Sequence, residues 1–275
     1  MLRHACWGLV LLVVSGCADL SPEIRRHNAE HMAAGSEWEP LRLQAGPFVL
    51  AAFAPRHLAD VDTLTVYVEG DGLSWITRSQ PSQDPTPMHA MALAMALQQP
   101  RGTAAYLARP CQYVSADDAR NCRNTWWTDS RFAAEVITAT NLAIDQLKQR
   151  FRARHLVLVG YSGGGAVVTL ATARRKDVSL LVSVAGNLDP EAWARINKIT
   201  PLKHSLNPPD AWQDLVDVPQ LHFVGARDIT ITPEVAYRYA ARFPKDRQPA
   251  LRIIEGFDHQ CCWAEKWAEL YPGPP

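Results

Sequence analysis

Short apolar runs alternate along the chain with stretches of helical character, and this alternation most limits the folds open to the 275 residues. Strands that alternate with helices form a largely parallel sheet, because each connecting helix packs back onto a face of the sheet. The sequence therefore predicts an α/β fold with a mostly parallel eight-stranded sheet, helices on both faces and an antiparallel entry hairpin. The predicted strands are Leu41 to Gln44, Phe48 to Phe53, Leu64 to Val68, Ala104 to Ala108, Leu156 to Val159, Leu180 to Val184, Gln220 to Val224 and Leu251 to Ile254.

Helices are predicted in the gaps between these strands and at the end of the chain. Thr86 and Pro87 suit the start of one helix, and Ser130 suits the N-cap of a longer one with a single apolar face. Strands continue on both sides of the proline-rich segments, so residues 37–275 are predicted to form one domain. The predicted helices are Met88 to Leu97, a helix from Ser130 to Phe151, Glu191 to Ile196, Glu234 to Phe243 and Trp263 to Tyr271.

Composition excludes several classes of function. Lys and Arg total 28 and Asp and Glu total 28, so the chain lacks the positive field that holds a nucleic acid backbone. Gly160, Ser162 and Gly165 match the spacing of a dinucleotide-binding loop, but its middle glycine is missing. The sequence contains no Gly-Lys-Ser/Thr phosphate loop and no zinc-ligand spacing. We expect neither a nucleic acid partner nor a cofactor or metal.

The first residues have the layout of an export signal. Arg3 precedes an apolar stretch from Ala5 to Val14, and small residues follow before Cys17. The stretch is shorter than the roughly 20 residues of a membrane-spanning helix. A buried first strand is the alternative interpretation.

The segment Val14-Ser15-Gly16-Cys17 resembles the lipobox of bacterial lipoprotein precursors. The resemblance implies removal of residues 1–16, a lipid on Cys17 and a polar tether over residues 17–36. Ala18 after the cysteine implies the outer membrane, with the protein facing the periplasm. A lipid anchor leaves the fold itself free to be water-soluble.

Four cysteines remain in the body of the chain, and an even number in an exported protein favours disulfides. Cys111 with Cys122 is the predicted pair, since it closes a short loop. A bond between the neighbours Cys261 and Cys262 would be strained, and buried free thiols are the alternative.

The strongest chemical signal follows the strand from Leu156 to Val159. There the sequence Gly160-Tyr161-Ser162-Gly163-Gly164 forms a G-x-S-x-G motif that leads into a predicted helix. A strand, a sharp turn and a helix in this order place the serine hydroxyl at the edge of the sheet as a nucleophile. The helix N-terminus also favours developing negative charge.

A serine nucleophile needs a base and an acid that orients it. Asp228 follows one downstream strand and His259 follows the next, so both lie at the same sheet edge as Ser162. Asp189 follows the strand after the nucleophile and is an alternative acid, whereas Asp258 is interpreted as a loop carboxylate.

This arrangement resembles the α/β-hydrolase superfamily from Leu41 onward. The resemblance implies Ser162 as nucleophile, His259 as general base and Asp228 as the orienting acid. The loop Glu69-Gly70-Asp71-Gly72 is similar in place to the superfamily's His-Gly loop, with Glu69 in place of histidine. It implies an oxyanion hole formed by the amides of Gly163 and Asp71. Gly70 or Gly72 can serve instead of Asp71, and a plain β-turn is the alternative.

Four aromatic residues in segments at this sheet edge are candidates for a substrate pocket, and core packing is their alternative role. They are Trp75, Tyr161, Trp127 and Trp263.

We therefore expect a monomeric serine hydrolase that cleaves a small-molecule or lipid ester, with a small cap insertion over residues 186–218. Thioesterases, peptidases and acyltransferases use the same triad. A lipoprotein that keeps the fold only for binding or assembly is the alternative from another class.

Overall fold

The computed structural model describes residues 21–57, 59–271 and 273, and within them one eight-stranded sheet organises the chain. The strand order is β1-β2-β4-β3-β5-β6-β7-β8. The hairpin β1–β2 is antiparallel and β2 pairs antiparallel with β4, while all other pairs are parallel. The eight predicted strands are confirmed, as β1 Trp38–Ala45, β2 Phe48–Pro55, β3 Thr63–Val68, β4 Thr103–Leu107, β5 His155–Tyr161, β6 Val178–Val184, β7 Gln220–Gly225 and β8 Ala250–Ile254.

Helices cover both faces of the sheet, so its central strands are apolar throughout. In β5, Leu156 and Leu158 pack into the core on one face, and Val157 and Val159 pack into the core on the other. Residues of α3, α4 and α7 line the first core, and residues of α1, α2 and α8 line the second. The described helices are α1 Pro22–Ala34, α2 Met91–Leu97, α3 Ala134–Arg150, α4 Gly163–Thr172, α5 Pro190–Ile196, α6 Trp212–Leu215, α7 Pro233–Ala240 and α8 Trp267–Leu270.

Three helices begin later than the sequence predicts, because the predicted start residues make other contacts. The side chain of Thr86 accepts a hydrogen bond from the amide of Tyr113, so α2 starts only at Met91. Ser130 lies in a turn, where its carbonyl accepts a hydrogen bond from the Ala133 amide. Turns occupy residues 261–266 before α8.

The described part of the expected tether is instead the helix α1. Its buried face carries Arg25, Ala29 and Ala33, and the two alanines, four residues apart, pack into a core. Within the expected tether, residues 17–36, the described part from residue 21 onward is thus mostly helical. The expected signal peptide, residues 1–16, and Cys17 lie outside the described residues.

Two disulfides are present among the described cysteines. The predicted pair Cys111–Cys122 is confirmed, with a Cα–Cα distance of 5.7 Å. Cys261 and Cys262, which the sequence left open, also form a disulfide.

Residues 186–218, where a small cap is expected, contain α5, a short 3₁₀ helix at Pro208–Ala211 and α6. Among the described helices, none has the length and apolar character to cross a membrane.

We expect Leu158→Ala to lower the free energy of unfolding by about 3 kcal/mol, because it leaves a cavity in the fully buried centre of β5. Leu142→Ala, at an exposed position of α3, is the matched control and should change it by less than about 0.5 kcal/mol. Urea unfolding of the two variants measures the difference, and equal effects would contradict the assignment of β5 to the core.

Candidate active site

The turn between β5 and α4 holds Ser162 in a strained backbone conformation. Ser162 has φ 51° and ψ −121°, and a positive φ is uncommon for a residue with a side chain. The turn is fixed because the Ser162 amide donates to the carbonyl of Val184 at 3.0 Å. Its carbonyl also accepts from the amides of Gly165 and Asn187, both at 2.9 Å. The structure thus presents the serine hydroxyl at the carboxyl edge of the sheet.

The turn also lies directly against the end of β3. A Cβ atom at Gly164 would lie 2.4 Å from the carbonyl oxygen of Val68 and 2.5 Å from that of Glu69. Such distances exclude any side chain at position 164. The glycines after Ser162 therefore bring the loop after β3 next to the nucleophile.

Ser162, His259 and Asp228 form a continuous series of hydrogen bonds. The Oγ of Ser162 lies 3.0 Å from Nε2 of His259, and Nδ1 of His259 lies 2.8 Å from Oδ2 of Asp228. The Asp228 side chain is fully buried, whereas the imidazole remains partly exposed. The structure brings together the three residues predicted for the triad.

Asp228 is held by its own loop, and the competing carboxylates have other contacts. Oδ1 of Asp228 accepts hydrogen bonds from the amides of Thr230 and Ile231, both at 2.8 Å. Asp189 instead caps α5 by accepting from the Ala192 amide. The exposed Asp258 accepts from loop amides at 2.7 and 2.8 Å. Of the three, Asp228 orients the imidazole.

Two aromatic residues fix the backbone around His259. The hydroxyl of Tyr161 donates to the His259 carbonyl at 2.8 Å, and the two rings lie 5.5 Å apart. The indole N–H of Trp263 donates to the Asp258 carbonyl at 3.0 Å. Tyr161 and Trp263 thus help to hold the backbone at His259 in place.

Two of the candidate pocket residues, Trp263 and Trp127, are buried in packed surroundings. Trp263 has no exposed surface and contacts Phe257, while the indole of Trp127 donates to the Ser82 carbonyl. Trp75, in contrast, is 41% exposed to solvent.

The loop after β3 carries two backbone amides, those of Asp71 and Gly72, that have no partner among the described residues. A Cβ atom on Gly70 would lie 3.3 Å from Cβ of Ser162, so the loop touches the nucleophile. The Gly70 amide donates to the Glu69 side chain at 2.9 Å. The Asp71 amide has no partner among the described residues. The Gly163 amide opens α4, where a backbone N–H has no acceptor within the helix.

A buried cluster of Asp71, Arg109 and Arg131 lies against this loop, and sequence reasoning missed its two arginines. Nη1 of Arg109 lies 2.9 Å from Oδ1 of Asp71, and Nη1 of Arg131 lies 2.6 Å from Oδ2. The Asp71 carboxylate also contacts Gly163, since a Cβ there would lie 2.0 Å from Oδ1. Only their positions in the sequence could have indicated the two arginines. Arg109 follows β4 and Arg131 precedes α3, and both positions lie at the carboxyl edge of the sheet.

The cluster carries one net positive charge next to the candidate oxyanion amides. Burial alone would raise the pKa of Asp71, but the charges and hydrogen bonds of Arg131 and Arg109 hold it below its usual value. Asp71 is therefore ionised at neutral pH, and the second arginine remains uncompensated within the cluster.

The neighbouring Glu69 is fully buried without a basic partner in direct contact. Burial raises its pKa to about 7, although hydrogen bonds from the amides of Gly70 and Ala92 and the hydroxyl of Tyr106 act in the opposite direction. The pKa values of Glu69 and Asp71, which are separated by one residue, are thus shifted in opposite directions. Among the described residues, no group of three His, Cys, Asp or Glu side chains has the arrangement of a metal site.

Comparison with known proteins identifies the fold. The chain is similar to Est1E from Butyrivibrio proteoclasticus, with a TM-score of 0.59 and 14% identity over 84% of this chain and 95% of that one. It is also similar to the esterase Pf2001 from Pyrococcus furiosus, with a TM-score of 0.58 and 11% identity over 85% and 87%.

A third similar structure is XC6422 from Xanthomonas campestris, described as an α/β serine hydrolase without a lid. Its TM-score is 0.54, with 15% identity over 87% of this chain and 97% of that one. No protein-family model matches the chain, and no curated protein matches its sequence. The chain therefore has the α/β-hydrolase fold, confirmed by structure at low sequence identity.

We expect Asp228→Asn to lower kcat for any ester that the chain hydrolyses by about 10⁴-fold, because the imidazole loses its orienting negative charge. Asp189→Asn, in the N-cap of α5, is the matched control and should leave kcat within a few-fold. Steady-state kinetics of the two variants decide which aspartate orients His259. A larger loss of kcat in Asp189→Asn than in Asp228→Asn would make Asp189 the acid.

We expect the free energy of unfolding to fall by about 3 kcal/mol as pH rises from about 4.5 to 7, through Glu69 alone. Its pKa is raised in the folded state, so the unfolded chain loses the proton first, and rising pH favours unfolding. Glu69→Gln should remove this component, whereas Glu265→Gln, at an exposed position, should not. Urea unfolding at about pH 5 and about pH 8 compares them, and an unchanged slope in Glu69→Gln refutes the prediction.

Proposed function

We propose that the protein is a serine hydrolase that cleaves carboxylic esters through an acyl-enzyme on Ser162. The observation that carries this proposal is the hydrogen-bond series Ser162–His259–Asp228 at 3.0 and 2.8 Å. The similarity to two esterases and a serine hydrolase supports it at the level of the fold.

The reaction begins when Nε2 of His259 takes the proton of the Ser162 hydroxyl and Oγ attacks the ester carbonyl carbon. The carbonyl oxygen becomes an oxyanion, which the amides of Gly163 and Asp71 stabilise as the tetrahedral intermediate forms.

The intermediate collapses when the C–O bond to the alcohol breaks and the imidazolium of His259 returns its proton to the leaving oxygen. A water molecule, deprotonated by His259, then attacks the acyl-enzyme and releases the acid. The carboxylate of Asp228 accepts the hydrogen bond from Nδ1 and stabilises the imidazolium in the required orientation.

The segment 186–218 is proposed to act as a small cap over the acyl group. Its helices α5 and α6 have only seven and four residues. An open site of this kind favours small or extended acyl chains over substrates that need a large lid.

We also propose that the protein is exported, anchored through a lipid on Cys17 and held on the outer membrane facing the periplasm as a monomer. The two disulfides support an oxidising compartment.

A fluorophosphonate probe tests the catalytic proposal on the full chain extracted from membranes. Intact mass should show one adduct on the parent protein, and Ser162→Ala and His259→Ala should abolish it. Ser183→Ala is the matched control, because Ser183 also lies 2.8 Å from a histidine, His222, but both are fully buried. That variant should keep the adduct. A folded parent without an adduct would instead favour the binding or assembly role.

A further inference from the structure

The described chain begins at the same edge of the sheet as the nucleophile. Arg25 is buried, donates a hydrogen bond to the carbonyl of Thr86 and lies 3.7 Å from the Asp84 carboxylate. Both partners belong to the loop between β3 and α2. The Arg25 amide donates to the carbonyl of Ser21 at 3.1 Å, so Ser21 is also held beside this loop.

The same loop connects this N-terminal contact to Ser162. The Leu73 amide donates to the carbonyl of Pro85 at 3.1 Å, which joins the two ends of the loop. Near its start, Gly70 packs against Ser162, as described above. Direct contacts thus lead from Ser21 to the nucleophile along one edge of the molecule.

The chain before Ser21 is too short to separate this edge from an anchor. Cys17 lies four residues before Ser21, and four extended residues span at most about 14 Å. The other end of α1 is roughly 20 Å away along the helix axis, since the helix has 13 residues. A lipid on Cys17 therefore holds the active-site edge close to the bilayer.

Large apolar side chains are exposed at this edge. Trp75 is 41% exposed, Ile76 is 52% exposed and Ile229, directly after Asp228, is 85% exposed. Ile24, in the first turn of α1, is also exposed. Exposed apolar groups that share one surface mark an interaction site, and tryptophan is favoured where a surface meets a lipid headgroup region.

The position and charge of these residues fit a bilayer surface. In the sheet, β5 lies between β3 and β7, so the loop with Trp75 and the loop with Ile229 emerge on opposite sides of Ser162. Residues 72–83 contain Arg78 and no acidic residue, which suits anionic lipid headgroups.

We infer that the edge carrying Ser162 faces the bilayer to which the chain is anchored, and that the substrates are esters held in that bilayer. Ile76 and Ile229 dock into the interface on either side of the site. This inference rests on the proposed ester hydrolysis and on the proposed lipid at Cys17.

Site-directed fluorescence on the full lipidated chain tests the orientation. Ile229→Cys and Met32→Cys are each labelled with an environment-sensitive fluorophore, and the chain is reconstituted in vesicles of phosphatidylethanolamine and phosphatidylglycerol. Met32 is the matched control, because it is exposed in the last turns of α1. Nitroxide-labelled lipid should quench the label at position 229 and spare the label at position 32. Equal quenching, quenching of neither label or an absence of lipid on Cys17 overturns the inference.

Kinetics test the substrate class separately. Ile76→Ser and Ile229→Ser should each lower hydrolysis of a vesicle-held long-chain ester about tenfold, because docking loses a buried apolar side chain. Hydrolysis of a soluble short-chain ester should stay at the parent level, and Met32→Ser should match the parent on both substrates. Equal losses on both esters, or none on the vesicle ester, overturn the inference. A parent inactive on both esters contradicts the proposed function, while the quenching pattern still decides the orientation.

Discussion

The close approach between the turn after β5 and the end of β3 is the constraint on which the site depends. Glycine at position 164 lets the backbone of the turn meet the carbonyls of Val68 and Glu69. This contact brings the loop that carries Gly70 and Asp71 beside Ser162, which itself has a positive φ. One steric condition thus places the candidate nucleophile beside the loop proposed to stabilise its oxyanion.

The electrostatics of the site depend on where positive charge is placed. Asp71 has two arginines within hydrogen-bond distance and is ionised, whereas Glu69, two residues away, is buried among neutral donors and holds its proton more strongly. Burial removes solvation from both carboxyls and so raises both pKa values. The arginines lower the pKa of Asp71 but not that of Glu69. The fold therefore keeps Asp71 ionised beside two arginines, whereas Glu69 remains protonated below about pH 7.

Local patterns predicted most of the sheet and the positions of Ser162, Asp228 and His259, because strand periodicity and turn residues are encoded within a few neighbouring positions. The partners of Asp71 were not predictable in this way. Arg109 and Arg131 reach it from segments 38 and 60 residues away, and nothing in their own neighbourhoods indicates a shared partner. The same holds for Trp263, whose burial depends on contacts across the fold rather than on its proximity to His259. Helix α1 was not predicted, because its buried face carries only two alanines beside Arg25 while its larger apolar residues, Ile24 and Met32, are exposed.

Helix α1 gives the molecule a defined path for mechanical load. A force applied at the N-terminus enters the domain through Arg25, whose contacts are with the loop that ends beside Ser162. Tension on the start of the chain therefore reaches the loop after β3 through Arg25 and reaches β1 through the packing of α1. A tag, fusion partner or surface attachment at this end therefore acts close to the loop that carries Gly70 and Asp71, whereas an attachment in the middle of α3 does not share this path.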